Sequence, residues 1–168
     1  MNGVIKNVLQ LTRREQSKPE LTELSSFLEH FKGHFSHNSQ CSIIIKLPKK
    51  KCSIIFDKSQ LEQILVALCE NAIRHGQDET GKANIVIAVK SSAHKISISV
   101  TDSGFGIPLE YRDNIFEPFF TTLRHGTGMG LFIAKDLCEM NQARLSLMNT
   151  VKGCGFSITQ NPLNELLL

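Results

Sequence analysis

Two glycine-rich segments carry the residue types that could bind a ligand. Residues 102–108 (DSGFGIP) follow a strand pattern, and residues 126–130 (GTGMG) run directly into a helical pattern. Glycines let the backbone approach a ligand closely, and the free N–H groups at the start of a helix favour phosphate oxygens. The second segment is not a Rossmann fingerprint, because no parallel strand with a crossover precedes it, and it lacks the lysine of a P-loop. Taken alone, each segment also fits an ordinary turn, so nucleotide binding and a structural loop both stay open.

Four segments taken together are far more specific. They are Asn71 with Arg74 and His75, residues 102–108, residues 115–120 (IFEPFF) and residues 126–131 (GTGMGL). In this order and at this spacing they resemble the N, G1, F and G2 boxes of sensor histidine kinases, members of the GHKL superfamily of ATP-binding proteins. The resemblance covers about residues 36 to 160, including a last glycine signature at residues 153–156. Together with residues 7–15, it is greatest for sensor kinases that regulate type IV pili or the nitrogen response.

The resemblance implies ATP and Mg²⁺ as cofactors and gives each box a role. Asp102 accepts a hydrogen bond from the adenine amino group, unless it only caps its turn. Asn71 is the metal ligand, and Arg74 reaches phosphate oxygens; these two are the catalytic residues, because phosphoryl transfer depends on positioning and charge neutralisation. His75 is either a wall or ribose contact or a helix-end histidine without a role in binding. Besides these four, the expected nucleotide contacts are Gly104, Gly106, Ile107, Phe120, Thr127, Gly128, Met129, Gly130 and Leu131.

The same resemblance implies a mobile lid over the nucleotide at residues 121–126, with Arg124 and His125. Phenylalanines are usually core residues, and we expect Phe116 to be one, while Phe119 or Phe120 supports the lid. Loops that close on a nucleotide come from the least stable parts of a fold.

One departure from the family pattern concerns the metal. Family members carry a second asparagine four residues before Asn71, on the same helical face, but this chain has Ala67 there. The resemblance therefore implies one protein ligand to Mg²⁺ fewer, with water or another side chain in its place. In the ATP-hydrolysing branch the position holds a glutamate that activates water, which alanine cannot do. Glu70, beside Asn71, points about 100° away from Asn71 around the helix and is not equivalent to that glutamate.

Hydrophobic periodicity predicts the elements that position these residues. We expect helices over residues 2–15, over a segment with Leu21, Leu24, Leu28 and Phe31 on one face, from the N-cap Asp57 to Gly76, and over residues 131–140. We expect strands over residues 41–47, 52–56, 84–90, 95–102, 144–149 and 155–160. The first two strands would form a hairpin around residues 48–51, and Gln60 would complete a capping box with Asp57.

Hairpins dominate this order of elements. We therefore expect an α+β fold, a two-layer sandwich in which a mixed, mostly antiparallel sheet carries helices on one face. The resemblance implies the same arrangement, since this is the GHKL or histidine kinase ATPase fold.

Composition excludes several other classes. The 168 residues are 41% hydrophobic and 21% charged, which is not the composition of a disordered chain. A net charge of +3 is too mild to indicate nucleic-acid binding. The five cysteines form no CxxC pair, so we expect no zinc site and a reducing cytoplasmic location, with Cys69 and Cys138 buried. The apolar runs are far shorter than the roughly 18 residues of a membrane span, and no signal peptide is evident.

A histidine kinase also needs a phosphoacceptor histidine followed by an acid on a dimerisation helix. None of the six histidines has that context, and His30 with His34 fits a solvated helix face better than a metal pair. We expect residues 1–20 to be a remnant of the second dimerisation helix with its linker, and residues 21–168 to be the ATP-binding domain. The chain would then be the cytoplasmic C-terminal part of a longer, membrane-anchored sensor, and a monomer or weak dimer without direct membrane contact.

The resemblance implies two partners, the parent's own histidine-bearing dimerisation domain and a response regulator receiver domain. Alone, the chain would bind ATP without phosphorylating itself. Two other readings stay open: a degenerate ATP-binding sensor or scaffold domain without kinase activity, which Ala67 favours, and a free-standing GHKL protein-serine kinase.

Overall fold

A computed structural model describes residues 17–35, 41–77, 79, 81–123 and 126–161. The strands in this part of the chain are β1 (Glu20–Glu23), β2 (Cys41–Lys46), β3 (Ser53–Phe56), β4 (Ala83–Ser91), β5 (Ile96–Thr101), β6 (Ala143–Leu147) and β7 (Gly155–Gln160). The helices are α1 (Leu24–Phe35), α2 (Lys58–His75) and α3 (Gly130–Met140), with a 3-10 turn at Leu109–Tyr111. The helix predicted at residues 2–15 and the loop predicted at residues 36–40 lie outside the described residues.

Five strands form the main sheet in the order β2-β4-β5-β7-β6. The edge strand β2 runs parallel to β4, with Cys41 opposite Ala83, and the other pairs are antiparallel. In the centre of the sheet Ile98 of β5 lies opposite Val89 of β4 and Ile158 of β7. This arrangement confirms the predicted α+β fold with a mixed, mostly antiparallel sheet.

Apolar and polar residues alternate along the central strands, which explains why one face of the sheet is covered. Ile96, Ile98 and Val100 of β5 are buried, whereas the serines between them are only half-buried. Helix α2 covers this face with an apolar stripe of fully buried side chains, Leu61, Ile64, Leu65 and Leu68. Each such side chain contributes about 1.5–3 kcal/mol on leaving water, so this layer supplies much of the stability. The free cysteines Cys69 and Cys138 are buried in it, as predicted.

The predicted hairpin of β2 and β3 is wrong. Strand β3 pairs antiparallel with β1 in a separate two-stranded sheet, while β2 pairs only with β4. The helix expected around Leu21 begins only at Leu24, and Leu21 lies in β1 with 62% of its surface exposed. A pattern of apolar residues cannot name the partner of a strand, because pairing partners are distant in sequence.

Glu23 explains where α1 begins. Its carboxylate accepts hydrogen bonds from the N–H groups of Ser26 and Ser25, both at 3.0 Å, and from the Ser25 hydroxyl at 3.1 Å. The bonds from Ser26 and Ser25 lower the pKa of Glu23 to about 2. The carboxylate thus occupies two donors that a helix leaves free at its first turn, and the strand ends there.

The predicted N-cap of α2 is confirmed, but its capping box is not closed by Gln60. Asp57 Oδ1 accepts from the N–H groups of Ser59 at 3.0 Å and Gln60 at 3.1 Å. The Asp57 N–H donates instead to Oδ1 of Asn141 at 2.8 Å, across 84 positions of sequence. The Gln60 side chain is turned inward and accepts from Nδ2 of Asn141 at 2.6 Å.

A buried network of three amides joins the small sheet to the rest of the fold. Gln60, Asn141 and Gln160 are 8%, 3% and 4% exposed. Asn141 also donates to the carbonyl of Leu137, and Gln160 donates to the carbonyls of Ile55 and Asn141, each at 2.8 Å. Because buried polar groups without partners are costly, the small sheet, both long helices and β7 are held in one arrangement.

No helix within the described ranges is both long and apolar enough to cross a lipid bilayer.

The amide network predicts the effect of removing its central member. We expect Asn141→Ala to lower the free energy of unfolding by about 2–4 kcal/mol, because it leaves buried groups of Asp57 and Gln60 unpaired. Urea unfolding followed by circular dichroism measures the change. The exposed Asn149 provides the control, and Asn149→Ala should change stability by less than about 0.5 kcal/mol. Equal losses in both variants would contradict the central role of Asn141.

Candidate functional site

Asp102 stands at the end of β5 and is fixed by three hydrogen bonds. Its Oδ1 accepts from the N–H groups of Gly104 at 2.9 Å and Cys154 at 3.0 Å. Its own N–H donates to the carbonyl of Cys154 at 2.9 Å. The carboxylate therefore caps its turn and ties the end of β5 to the start of β7.

The second carboxylate oxygen of Asp102 makes no hydrogen bond with any residue that the structure describes. The two alternatives for this residue are therefore compatible, since Oδ1 caps the turn and Oδ2 can accept from a ligand. The neighbouring Ser103 Oγ is buried and likewise without a partner in the described part of the chain. Buried polar atoms without a partner are rare, and this one is available to bind a ligand or water.

Three glycines enclose Asp102. A Cβ added to Gly76 would lie 2.6 Å from Cγ of Asp102, and one added to Gly153 would lie 1.9 Å from the Asp102 carbonyl oxygen. A Cβ on Gly104 would lie 2.5 Å from Cα of Gly76. These distances are too short for any side chain, so the end of α2, the turn after β5 and the turn before β7 come together only because all three residues are glycine. Gly106 extends the contact, since its Cβ would lie 2.8 Å from the Gly153 carbonyl oxygen.

A glycine is required at position 76 for a different reason from the helix end that the sequence suggested. The helix does end there, as predicted, but the φ of Gly76 is −100° rather than in the left-handed region. Any residue could adopt this conformation. The glycine is needed because Asp102 and Gly104 pack against it, a contact between residues 26 positions and more apart that a helix-stop signal does not reveal.

The end of α2 carries Asn71, Arg74 and His75. Asn71 is half-buried and its side chain has no hydrogen bond within the described residues. Arg74 is exposed and forms an ion pair with Glu70, with 3.4 Å between Nη2 and Oε2. Ala67, one turn earlier, packs partly buried against the core and offers no donor atom to a metal. Glu70, three residues after Ala67, is paired with Arg74 in this arrangement.

The surroundings of His75 shift the pKa of its imidazole. His75 is exposed, but partial desolvation of its imidazole lowers its pKa below the ordinary value of 6.5, the Arg74 guanidinium lowers it further, and the Asp102 carboxylate opposes both. The imidazole is therefore kept neutral near physiological pH, close to the carboxylate. No cluster of three or more metal-ligating His, Cys, Asp or Glu side chains occurs among the described residues.

Of the three phenylalanines in residues 115–120, Phe116 packs against the core as predicted. Phe116 packs against the core, edge-on to Phe156 with 6.1 Å between ring centroids. Phe120 is half-buried beside Tyr111, at 5.9 Å between centroids. Phe119 is 69% exposed and has a φ of 66°, which is unusual for a residue with a side chain.

The loop before α3 lies directly on this segment. Gly128 has a φ of +65°, and a Cβ there would lie 2.3 Å from the carbonyl carbon of Phe119. The next residue, Met129, is buried and anchors the loop. Helix α3 starts at Gly130 and has no side-chain cap, so its first N–H groups remain available to an anion. Around Gly130 itself there is open space within 4 Å of an added Cβ.

The structure thus brings together two parts of the predicted site. His75, Asp102, Gly104 and Gly106 meet around the glycine contacts, and Gly128 meets the phenylalanine segment. Ile107 and Leu131 pack partly buried against the core at the edges of these parts, and Thr127 is half-buried in the loop. Within the described residues, no hydrogen bond or ion pair joins Asn71 or Arg74 to either glycine segment. Arg124 and His125 of the predicted lid lie outside the described part of the chain.

Comparison with known proteins identifies the class. Residues 56–164 match the family described as histidine kinase-, DNA gyrase B-, and HSP90-like ATPase. The chain belongs to this family, and the predicted resemblance is confirmed.

Individual relatives narrow the class to histidine kinases. The chain is 36% identical over 166 residues to the sensor protein kinase PilS of Pseudomonas aeruginosa, an alignment that covers 95% of this chain and 31% of PilS. The catalytic domain of histidine kinase ThkA, in a nucleotide-free form, is 26% identical with a TM-score of 0.73, covering 84% of this chain and 95% of that one. A complex of ThkA with the response regulator TrrA matches at 23% identity and a TM-score of 0.78, covering 96% and 47%. The chain spans about a third of the length of the curated relatives it matches.

The charges around His75 predict its titration. We expect its imidazole to titrate below pH 6.5 in an NMR titration, with Arg74→Gln raising the pKa and Asp102→Asn lowering it further. Because the folded chain takes up this proton less readily than the unfolded chain, its stability falls as pH drops below 6.5. His75→Gln should remove this part of the pH dependence. A pKa at or above 6.5 would show that His75 is not desolvated by the site.

Proposed function

We propose that this chain is the ATP-binding catalytic domain of a two-component sensor histidine kinase. It binds Mg-ATP and presents the γ-phosphate to a histidine on a dimerisation domain of the parent protein. The observation that carries the proposal is the Asp102 carboxylate, held by Oδ1 among three glycines while Oδ2 remains free to accept from a ligand. Family membership and the likeness to the ThkA catalytic domain support it.

The adenine end of the site is the part that the geometry supports most directly. Asp102 Oδ2 accepts a hydrogen bond from the adenine amino group. The side chain of the next residue, Ser103, has a buried hydroxyl without a partner among the described residues. The contacts of Gly76, Gly104 and Gly153 leave the carboxylate no freedom to turn away. Ile107 and His75, neutral because its pKa is lowered, form the neighbouring wall. Such preorganisation avoids the cost of ordering the acceptor on binding.

The phosphate end is formed by residues 126–131 and the start of α3. The uncapped N–H groups of α3 and the adjacent backbone of Thr127, Gly128 and Met129 contact the phosphates. Gly130 and Leu131 begin the helix, and Phe120 supports the lid segment from below. Arg74 leaves Glu70 to reach a phosphate oxygen, which costs little because an exposed ion pair contributes only about 0–1 kcal/mol.

The Mg²⁺ ion would be held by the Asn71 amide oxygen, by phosphate oxygens and by water. Mg²⁺ typically keeps several waters and takes few protein ligands, so a single amide is compatible with it. Ala67 removes the second ligand that the family pattern provides, which makes binding of the metal depend more on the nucleotide. Catalysis in this arrangement is positioning and charge neutralisation by Asn71, Arg74 and the metal.

The proposal includes two partners and a division of the chain. The dimerisation domain of the parent supplies the histidine, and a response regulator then takes the phosphoryl group, as the complex of ThkA with TrrA suggests by analogy. Residues 1–20 belong to the end of the second dimerisation helix and its linker, and the ATP-binding domain follows. The last residues of this linker contact the domain, since Ser17 donates to Asn141, Lys18 donates to Asp57, and Glu20 begins β1.

A second candidate is an ATP-binding domain that regulates without transferring phosphate. Ala67 is the observation that favours it, because a weakened metal site would impair transfer more than binding. The two candidates differ in whether the parent protein forms acid-labile phosphohistidine from labelled ATP.

Asp102 gives the sharpest test of nucleotide binding. Asp102→Asn keeps an oxygen for the N–H groups of Gly104 and Cys154 but places an amide donor against the adenine amino group. We expect ATP affinity to fall about tenfold or more, measured by calorimetry, with stability little changed. Asp136→Asn on the exposed side of α3 is the matched control and should leave the affinity unchanged. Equal affinity of Asp102→Asn and the unmodified chain would refute this role of the carboxylate.

The proposed metal site predicts that one substitution weakens the effect of Mg²⁺ on ATP affinity and that another strengthens it. Asn71→Ala should abolish most of the increase in ATP affinity that Mg²⁺ produces, whereas Ala67→Asn should enlarge that increase severalfold by restoring a second oxygen ligand. Nucleotide titrations with and without Mg²⁺ measure both effects. Ala67→Leu has the shape of asparagine without its oxygen, so it separates ligation from packing. The same gain in Ala67→Leu would show that the oxygen plays no part.

A further inference from the structure

A cavity of about 330 Å³ lies at the end of the main sheet away from Asp102. It is bounded by the loop between β2 and β3, by the turn between β4 and β5 and by the end of β7. Ile96, which lines it, begins β5, whereas Asp102 follows the last residue of the same strand. At about 3.3 Å per residue the two sites are roughly 20 Å apart. The cavity is therefore separate from the nucleotide site proposed above.

The charged side chains that line this cavity are all lysines. Lys50 and Lys51 come from the first loop and Lys95 from the turn, and no carboxylate lines the cavity among the residues that the structure describes. None of the three lysines forms an ion pair in the described part of the chain, where the two ion pairs are Lys58 with Glu20 and Arg74 with Glu70. The three lysines are exposed, so their side chains can turn toward an anion, and together they give the rim of the cavity a positive charge.

One acidic side chain, Glu23, acts electrostatically on a residue that lines the cavity. Burial and, after it, the charge of Glu23 raise the pKa of Cys52, which lines the cavity, so Glu23 lies within electrostatic reach. Its carboxylate, however, is turned to Ser25 and Ser26 at the start of α1. The carboxylate is ionised, since its pKa is about 2, but it does not line the cavity itself.

The floor and rim of the cavity are preformed. Gln160 on the floor accepts from the Ile55 N–H at 3.2 Å and donates to the Ile55 carbonyl at 2.8 Å, so its amide is held in place. In the turn, the N–H and hydroxyl of Ser92 both donate to the Lys95 carbonyl, at 2.8 and 3.2 Å. The hydroxyls of Ser53 and Ser91 also line the space, and neither has a hydrogen-bond partner within the described residues.

We propose that this cavity binds a small phosphate-bearing anion through Lys50, Lys51 and Lys95. Lysine binds phosphate as a compact point charge, and three lysines supply the positive charge that a multiply charged anion of this kind requires. The serine hydroxyls add neutral donors to the same oxygens. A volume of about 330 Å³ fits a small molecule rather than a macromolecule. The chain thus carries a second anion site that could report on a soluble phosphorylated compound.

Pyrophosphate is a suitable probe for an NMR titration of the isotope-labelled chain. We expect chemical shift changes at the amides of residues 50–53 and 91–96, and an affinity that falls at higher salt concentration. Lys51→Gln and Lys95→Gln should each weaken this binding about tenfold, the loss of one charge-assisted hydrogen bond. Lys32→Gln on α1 removes the same charge far from the cavity and should change the affinity less than about twofold.

Three results would overturn the proposal. Unchanged affinity in both cavity variants would show that the lysines do not bind the probe. Shift changes confined to residues 102–106 and 126–131 would place the probe in the nucleotide site instead. Citrate binding as tightly as pyrophosphate, or a ten-residue oligonucleotide binding where pyrophosphate does not, would show that the cavity does not select small phosphates.

Discussion

The arrangement of the candidate site depends on a single carboxylate oxygen, Oδ1 of Asp102. Asp102 Oδ1 accepts from Gly104 and Cys154, so that the end of β5, the turn after it and the start of β7 cannot separate. Packing then brings the end of α2 against the same point, because Gly76 has no side chain to prevent it. The hydrogen bonds thus determine where the backbone lies and the missing Cβ atoms determine how closely it can approach. The candidate site around Asp102 is formed by this closure of the backbone.

Local sequence signals predicted most elements but not how all of them associate. Helix α2, its N-cap Asp57, the pair β4–β5 and the strands β6 and β7 follow from periodicity and from residues close in sequence. Strand β1 was not predicted, and β3 was paired with the wrong strand, because four-residue strands give weak patterns and their partners lie far along the chain. Asn141 was missed for the same reason: an asparagine after a helix looks like an ordinary stop, and only the fold shows that it closes the cap of another helix.

The residues of the candidate site could be predicted in part, but most of their contacts could not. The glycine segments and Asp102 could be predicted because the spacing of four motifs resembles one family. Sequence does not reveal that Gly76 and Gly153 enclose Asp102, since one looked like a helix stop and the other like a strand turn. Nor does it reveal the ion pair of Arg74 with Glu70 or the basic cavity, whose lysines come from two loops more than 40 residues apart. Contacts of this kind depend on the folded backbone, which no short motif contains.

The connection of Ser17 and Lys18 to the two long helices has a mechanical consequence. Ser17 donates to Asn141 at the end of α3, and Lys18 donates to Asp57 at the beginning of α2. The opposite ends of these helices carry Gly130 and His75, and the 18 residues of α2 span about 27 Å. The two helices run antiparallel, so the segment at residues 17–18 contacts the beginning of one and the end of the other. The candidate site lies at their opposite ends, and the two helices therefore connect this segment to the site through regular secondary structure.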